Sequence, residues 1–299
     1  MLSKTNIVLT YSLLVFIWAT TPLAIVWSTT DLHPLWALSF RFFFAFPIAL
    51  ILLLMLKGKL PVDRLSIMSY IAGACSFIIS QIFTYLSVKY LSSGLIALMF
   101  GLAPLITGIL GILIFKINLS MSQWIGMLIA LFGLAIISLG GDRHLVHPIG
   151  VGLMLISVLI YCSSIFWIKK INAPLKPLSQ ATGSIAVSTL IALSMLPFIW
   201  QYAPTSIPET RSLIGLFYAV VMSSLLAMFC YFKLVKNVKA TTMSLTTVLT
   251  PVIALCVGAY LNHEKLTVMV FIGAFVMLMG LFIYFYKDLF ANREMGKNR

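Results

Sequence analysis

The sequence predicts an all-α integral membrane protein, with ten transmembrane helices arranged as two inverted-topology five-helix repeats around a central cavity. Three observations predict it: an apolar composition, ten apolar stretches of spanning length, and one segment written twice. Of 299 residues, 61% are hydrophobic and 9% charged, with a mean hydropathy of +1.09. A soluble domain carries a charged fraction near a quarter. A helix needs about 20 apolar residues to cross the hydrocarbon core. Punctuation by Lys, Asp, Pro and Gly leaves stretches near 6–28, 34–56, 66–88, 93–115, 121–140, 149–168, 177–200, 211–233, 240–261 and 266–286. The intervening loops are too short for a soluble domain.

The duplicated segment runs from Leu98 to Ile136. One ungapped offset pairs Leu98 with Leu245, Pro104 with Pro251, Gly111 with Gly258, Gly126 with Gly273, Gly133 with Gly280 and Ile136 with Ile283. Chance would match Leu and Ile in so apolar a chain, but not a Pro and three Gly in register. The same offset pairs Ser76 with Ser223 and Lys89 with Lys236. Nearer the start it shortens, pairing Pro34-Leu35 with Pro177-Leu178. The repeats are read as residues 1–143 and 144–286, followed by a basic tail at 287–299. Five crossings is an odd number, so the second copy starts from the opposite side and the repeats are inverted. Such a pair gives alternating access a structural basis.

The net charge of +13 is distributed by membrane side. With a cytoplasmic N-terminus, Lys57, Lys59, Arg64, Lys116, Lys169, Lys170, Lys176, Lys233 and most other cations fall inside. Only Lys89, Arg143, Arg211 and Lys265 fall outside. That bias orients the chain with both termini cytoplasmic, and nucleic acid is excluded as a partner. The first span is too long for a signal-peptide core and is expected to be retained.

Cys75, Cys162, Cys230 and Cys256 lie inside spans without a pairing pattern and read as small hydrophobes. His33, His144, His147 and His263 fall at loops or span ends, none paired at metal spacing, so neither metal nor cofactor is expected. No acidic residue lies inside a span. This removes the usual proton carrier of a drug antiporter and the acid–base pair of an intramembrane enzyme, so the chain is not read as an enzyme. There is no Walker-type phosphate loop, and ATP hydrolysis in this chain is excluded.

Along the chain, Trp18-Ala19-Thr20-Thr21-Pro22 places an aromatic, hydroxyls and a helix breaker at mid-membrane depth. Tyr161-Cys162-Ser163-Ser164 corresponds to it in the second copy. Such hydroxyls either satisfy carbonyls freed by the proline or contact a solute, and Trp18, Thr21, Tyr161 and Ser164 are taken as candidates for the latter. Arg41 is the only charge well inside a span. It either snorkels or pairs with Asp31, or it captures a solute carboxylate or phosphate. Gln81 and Tyr85 share a face of the third span. In the ninth, Thr246 and Thr250 precede Pro251, where the first copy has Met99 and Ala103. Gly101, Pro104, Gly108, Gly126, Gly133, Gly273 and Gly280, with Pro251, form small-residue seams or breaks that read as packing and hinge positions. Spans five and ten are expected to pack together near the pseudo-two-fold axis.

The order Tyr85-Leu-Ser-Val-Lys89-Tyr-Leu-Ser-Ser-Gly94, Ala103-Pro104-Leu, Thr250-Pro251-Val, Asn262-His263-Glu264-Lys265-Leu266-Thr267 and Ile272-Gly273 resembles the EamA-type repeat of the drug/metabolite transporter superfamily, over nearly the whole chain. One departure is Ile117, which stands where the second copy has Glu264. The resemblance implies a ten-helix fold with a central cavity, as in bacterial exporters of amino acids and other metabolites. Combined with the residues above, the expectation is a secondary transporter, acting as an exporter by alternating access, in a bacterial inner membrane. Its substrate would be an amino acid or a related zwitterion or anion; the alternative is an exporter or flippase of drugs or lipid-linked sugars. The expected partners are a small-molecule substrate and the lipid bilayer, with the chain working as a monomer or homodimer.

Overall fold

A computed structural model describes residues 4–116, 118–140, 146–235, 240–264 and 267–294. Among these residues ten helical spans follow one another: α1 (Lys4–Ser28), α2 (Pro34–Met55), α3 (Arg64–Ser87), α4 (Ser93–Phe115), α5 (Met121–Gly140), α6 (Pro148–Ile171), α7 (Pro177–Ile199), α8 (Thr210–Tyr231), α9 (Ala240–Leu261) and α10 (Val268–Glu294). Nine of them contain windows long and apolar enough to span a bilayer, and Val248–Leu261 in α9 is a shorter apolar helix. The chain is therefore an all-α multi-pass membrane protein of two five-helix repeats. Helix α10 continues past position 286 to Glu294, into the stretch read as a tail. Ile117 lies outside the described residues.

Local chemistry sets the helix starts. Asp63 accepts the Ser66 amide at 3.2 Å and the Ser66 hydroxyl at 2.6 Å, capping α3, and Ser92 caps α4. His33 and His147 each accept the amide two residues on, and each precedes a proline at the first helical position. A proline there gives up no hydrogen bond, because that N–H has no partner within the helix. These two histidines are thus caps, and among the described residues no group of His, Cys, Asp and Glu could hold a metal.

Three departures from regular α-helix lie near mid-span. Helix α3 contains a π-helical turn at Cys75–Ile79, and α8 contains one at Ala219–Leu226. The duplication pairs these segments through Ser76 and Ser223. Helix α4 breaks at Gly101 and Leu102 into Ser93–Phe100 and Ala103–Phe115. Pro104 has no N–H to return to Phe100, and the chain tightens there, with Leu102 N donating to Met99 O at 3.0 Å and Leu105 N to Leu102 O at 3.0 Å. Helix α9, by contrast, runs through Pro251 unbroken.

Among the described residues two large apolar cores form, with a smaller cluster of Leu14, Ile17, Ala227 and Cys230 between α1 and α8. One gathers Leu98, Leu102, Ala130, Met154, Val158, Met277 and Leu281 from α4, α5, α6 and α10. The other gathers Leu38, Phe42, Ala45, Ile78, Ile185 and Val220 from α2, α3, α7 and α8. The two meet directly where α3 packs on α6, and α1, α4, α8 and α9 also run between them. The most extensive helix pair is α5 with α10, where glycines let backbones touch. A Cβ built on Gly126 would sit 2.6 Å from Gly280 O, and one on Gly280 would sit 2.6 Å from Gly126 O. Gly133 and Gly273 repeat the reciprocity one step along, at 2.6 and 2.7 Å from each other's carbonyl. Side chains such as Leu128, Phe132, Phe271 and Phe275 stay exposed on these helices, as suits a surface solvated by lipid tails.

Candidate substrate cavity

Helices α4 and α9 cross where a Cβ on Gly101 would lie 3.3 Å from Pro251 Cγ. Beyond the crossing, towards the face opposite the termini (the far face), they stay close. Ala19, Ala97 and Ala254 pack together with Ile253 against them, and a Cβ on Gly94 would meet Leu255 Cδ2 at 2.8 Å. Towards the face bearing the termini, the second segment of α4 packs on α6 and makes no comparable contact with α9 among the described residues. The two helices form a V, sealed at the far face.

Aromatic side chains stand near the apex. Trp18 of α1 packs on Tyr231 of α8 with ring centroids 5.6 Å apart. Phe100, beside the α4 break, meets Tyr161 of α6 edge-on at 6.0 Å. Tyr161 is half-buried there. Thr246 is buried on α9, and the half-buried Thr250 donates to Thr246 O at 2.5 Å.

About two helical turns along α8 from Tyr231, a polar cluster joins four helices. Thr21 donates to Ile17 O at 2.6 Å and hydrogen-bonds the Ser223 hydroxyl at 2.8 Å. Thr20 meets the Tyr218 hydroxyl. Next to Ser223, Ser224 donates to Ala219 O, five residues back in the π turn, and accepts Arg41 Nε at 2.9 Å. Arg41 also donates through Nη1 to Gln81 Oε1 at 3.4 Å. Only 6% of Arg41 is exposed, so it does not snorkel. Asp31 is no partner either: it accepts the Glu209 amide at 2.5 Å and the Ser212 hydroxyl. Burial pushes the Asp31 carboxyl up, but the Ser212 hydroxyl and the Glu209 amide outweigh it and hold the group below its usual range. Arg41 has no ion-pair partner among the described residues. A guanidinium carries five donors, and its two neutral acceptors leave most of them open.

Trp18, Thr21, Arg41, Gln81, Tyr161 and Thr250 thus occupy or border the central region. Two other candidates do not face it in this state. The Ser164 hydroxyl is buried and donates to Ala72 O at 2.6 Å, tying α6 to α3. Tyr85 is fully buried in the second core and its hydroxyl has no hydrogen-bond partner among the described residues. Ser224, Ser223 and Tyr231 join the site without having been chosen as candidates. Their signal was the spacing of hydroxyls and an aromatic along α8, which looks like that of any interhelical contact.

A second cluster closes the far face. Glu264, in the loop after α9, accepts Ser93 N at 2.9 Å, Gly94 N at 3.2 Å and Asn262 Nδ2 at 2.9 Å. Asn262 Oδ1 in turn accepts Trp27 Nε1 at 3.1 Å and a donor from Arg211, which also lies over the Trp27 ring. The ends of α1, α4, α8 and α9 meet there. Nearby, His33 stacks on Tyr202 at 4.4 Å, and burial, then the Lys89 charge, hold it below its ordinary pKa.

Known proteins share this architecture. PagO of Salmonella typhimurium is 23% identical over 285 residues, 94% of this chain and 93% of its own. The inner membrane transporter YedA of Escherichia coli is 24% identical over 75% of this chain and 73% of its own, and an uncharacterised transporter of Archaeoglobus fulgidus is 22% identical over 68% and 71%. One crystal structure superposes with a TM-score of 0.68 at 14% identity, over 97% of this chain and 99% of the other, which speaks to the fold alone. The profile of the EamA-like transporter family fits residues 5–139 and again 148–286, one copy for each five-helix repeat. The chain belongs to the EamA-like transporter family.

Proposed function

We propose that this protein is a bacterial inner-membrane exporter of a small metabolite bearing a carboxylate, an amino acid or a related zwitterion or anion, working by alternating access. The observation that carries the reading is Arg41, a buried guanidinium held by two neutral side chains. A charge at such depth costs about 2.5–3.5 kcal/mol on insertion scales, and a structural site would offset that with a carboxylate of its own. Here the offset comes from the solute. Gln81, Ser224 and Thr21 supply neutral hydrogen bonds beside it, and Trp18, Tyr231 and Tyr161 wall the space below.

Residues 1–143 and 144–286 act as the two halves that exchange conformation, with both termini cytoplasmic. The name of the YedA relative supports the inner membrane. With no nucleotide site in the chain, energy comes from solute or ion gradients. Counterflow in proteoliposomes loaded with amino-acid and organic-acid pools tests the reading. Exchange of at least one carboxylate solute is the result expected; exchange of drugs or lipid-linked sugars alone would overturn it.

A further inference from the structure

We infer that the Glu264 carboxylate is the latch of the far gate, and that it sets the balance between the two access states. Three features converge on it. Glu264 belongs to the second repeat, while the amides it accepts, Ser93 and Gly94, open α4 in the first. A carboxylate on two helix N-terminal amides satisfies donors that have no partner within the helix and sits at the positive end of its dipole. The bond therefore spans the V at its sealed end, where Gly94 already lies against Leu255. Asn262 extends the tie to Trp27 and Arg211, so α1 and α8 are held in the same knot.

Opening the far face requires α4 to part from α9, and parting breaks both Glu264 bonds. At the position that the duplication matches to Glu264 the first repeat has Ile117, which has no acceptor on its side chain. Two repeats of nearly one design would otherwise make the two access states close in energy. A latch present in only one copy biases the resting protein towards the state closed at the far face and open towards the termini. The inference rests on the transporter reading of the cavity, but not on any substrate class.

The test is a distance measurement without substrate. Spin labels are placed at Lys89→Cys, just before α4, and Tyr260→Cys, in the last turn of α9, with the four native cysteines replaced. Both label sites are exposed. The unaltered latch should give one predominantly short population. Glu264→Ala should raise the fraction at longer distance by about tenfold or more, the scale of losing charge-assisted hydrogen bonds. Glu264→Gln, which keeps one acceptor oxygen without the charge, should give an intermediate fraction. Asn262→Ala should shift it in the same direction, and it serves with Glu264→Gln if the alanine variant does not fold. Variants that fold with the original distance distribution, even at a lower melting temperature, would make Glu264 a structural cap only and overturn the inference. Failure of counterflow with every carboxylate solute would leave the distance result standing, so the two readings fail separately.

Discussion

Arg41 concentrates the chemistry of the molecule because charge, burial and partners disagree there. Its Nε is fixed by Ser224 and its Nη1 leans on Gln81, which orients the guanidinium without neutralising it. Arg41→Ala should lower uptake of a carboxylate solute about tenfold or more while the protein still inserts, since a charge-assisted hydrogen bond contributes about 1.5–3 kcal/mol. Arg41→Lys should restore little, because an ammonium lacks the planar fork; normal uptake by both variants would reduce Arg41 to an anchor. Ser224→Ala should raise KM for the same solute by less, as Gln81 still holds the other edge. Away from the site, Asp63 offers a pH test. The Ser66 hydroxyl and amide pull its pKa below the ordinary 3.8. A depressed acid stabilises the fold above the unfolded-state value and stops doing so as pH falls through the folded one. The melting temperature of the wild type should therefore exceed that of Asp63→Ala at pH 6, with a gap that closes below pH 3.8; a gap independent of pH would contradict this.

At the scale of elements, the pairing of α5 with α10 is set by absent side chains. Gly133 faces Gly273 O and the Met277 backbone, and neither can rotate aside. Gly133→Ala should destabilise by about 1–3 kcal/mol, the usual cost of overpacking, read as a lower melting temperature in detergent. Gly152→Ala is the control: nothing lies within 4 Å of a Cβ there, and no loss should follow. The ten spans were legible in the sequence because the hydrocarbon core demands about 20 apolar residues each time, and the seams because small residues have few other uses at that spacing. The π turns in α3 and α8 were not legible. An added residue in a turn leaves composition unchanged, yet it decides that Ser224 meets Arg41. Tyr85 shows a different limit: it shares a face with Gln81 but lies one turn nearer the far face, where the helices have closed over it. Face is written in the sequence, whereas depth of closure belongs to the conformational state. Glu264 was visible as an asymmetry between copies, but its partners are brought to it only by the fold.

At the scale of the whole molecule, the two larger apolar cores meet where α3 packs on α6 and across α1, α4, α8 and α9, and among those four helices and α2 stand mid-membrane hydroxyls, aromatics and the buried Arg41. The cores give each group of helices a reason to move as a unit. Glu264 and Asn262 knot the far face, so one arrangement is present and its inverse is implied by the duplication. The measurement that tests this most directly is access to Tyr161→Cys in a background without the native cysteines, in oriented proteoliposomes, using a thiol reagent that cannot cross the bilayer. At rest the reagent should react from the face bearing the termini, and during turnover from both faces in alternation, with substrate protecting the thiol. Reaction from neither face, or from one face alone whatever the substrate, would contradict a cavity that opens to each side in turn.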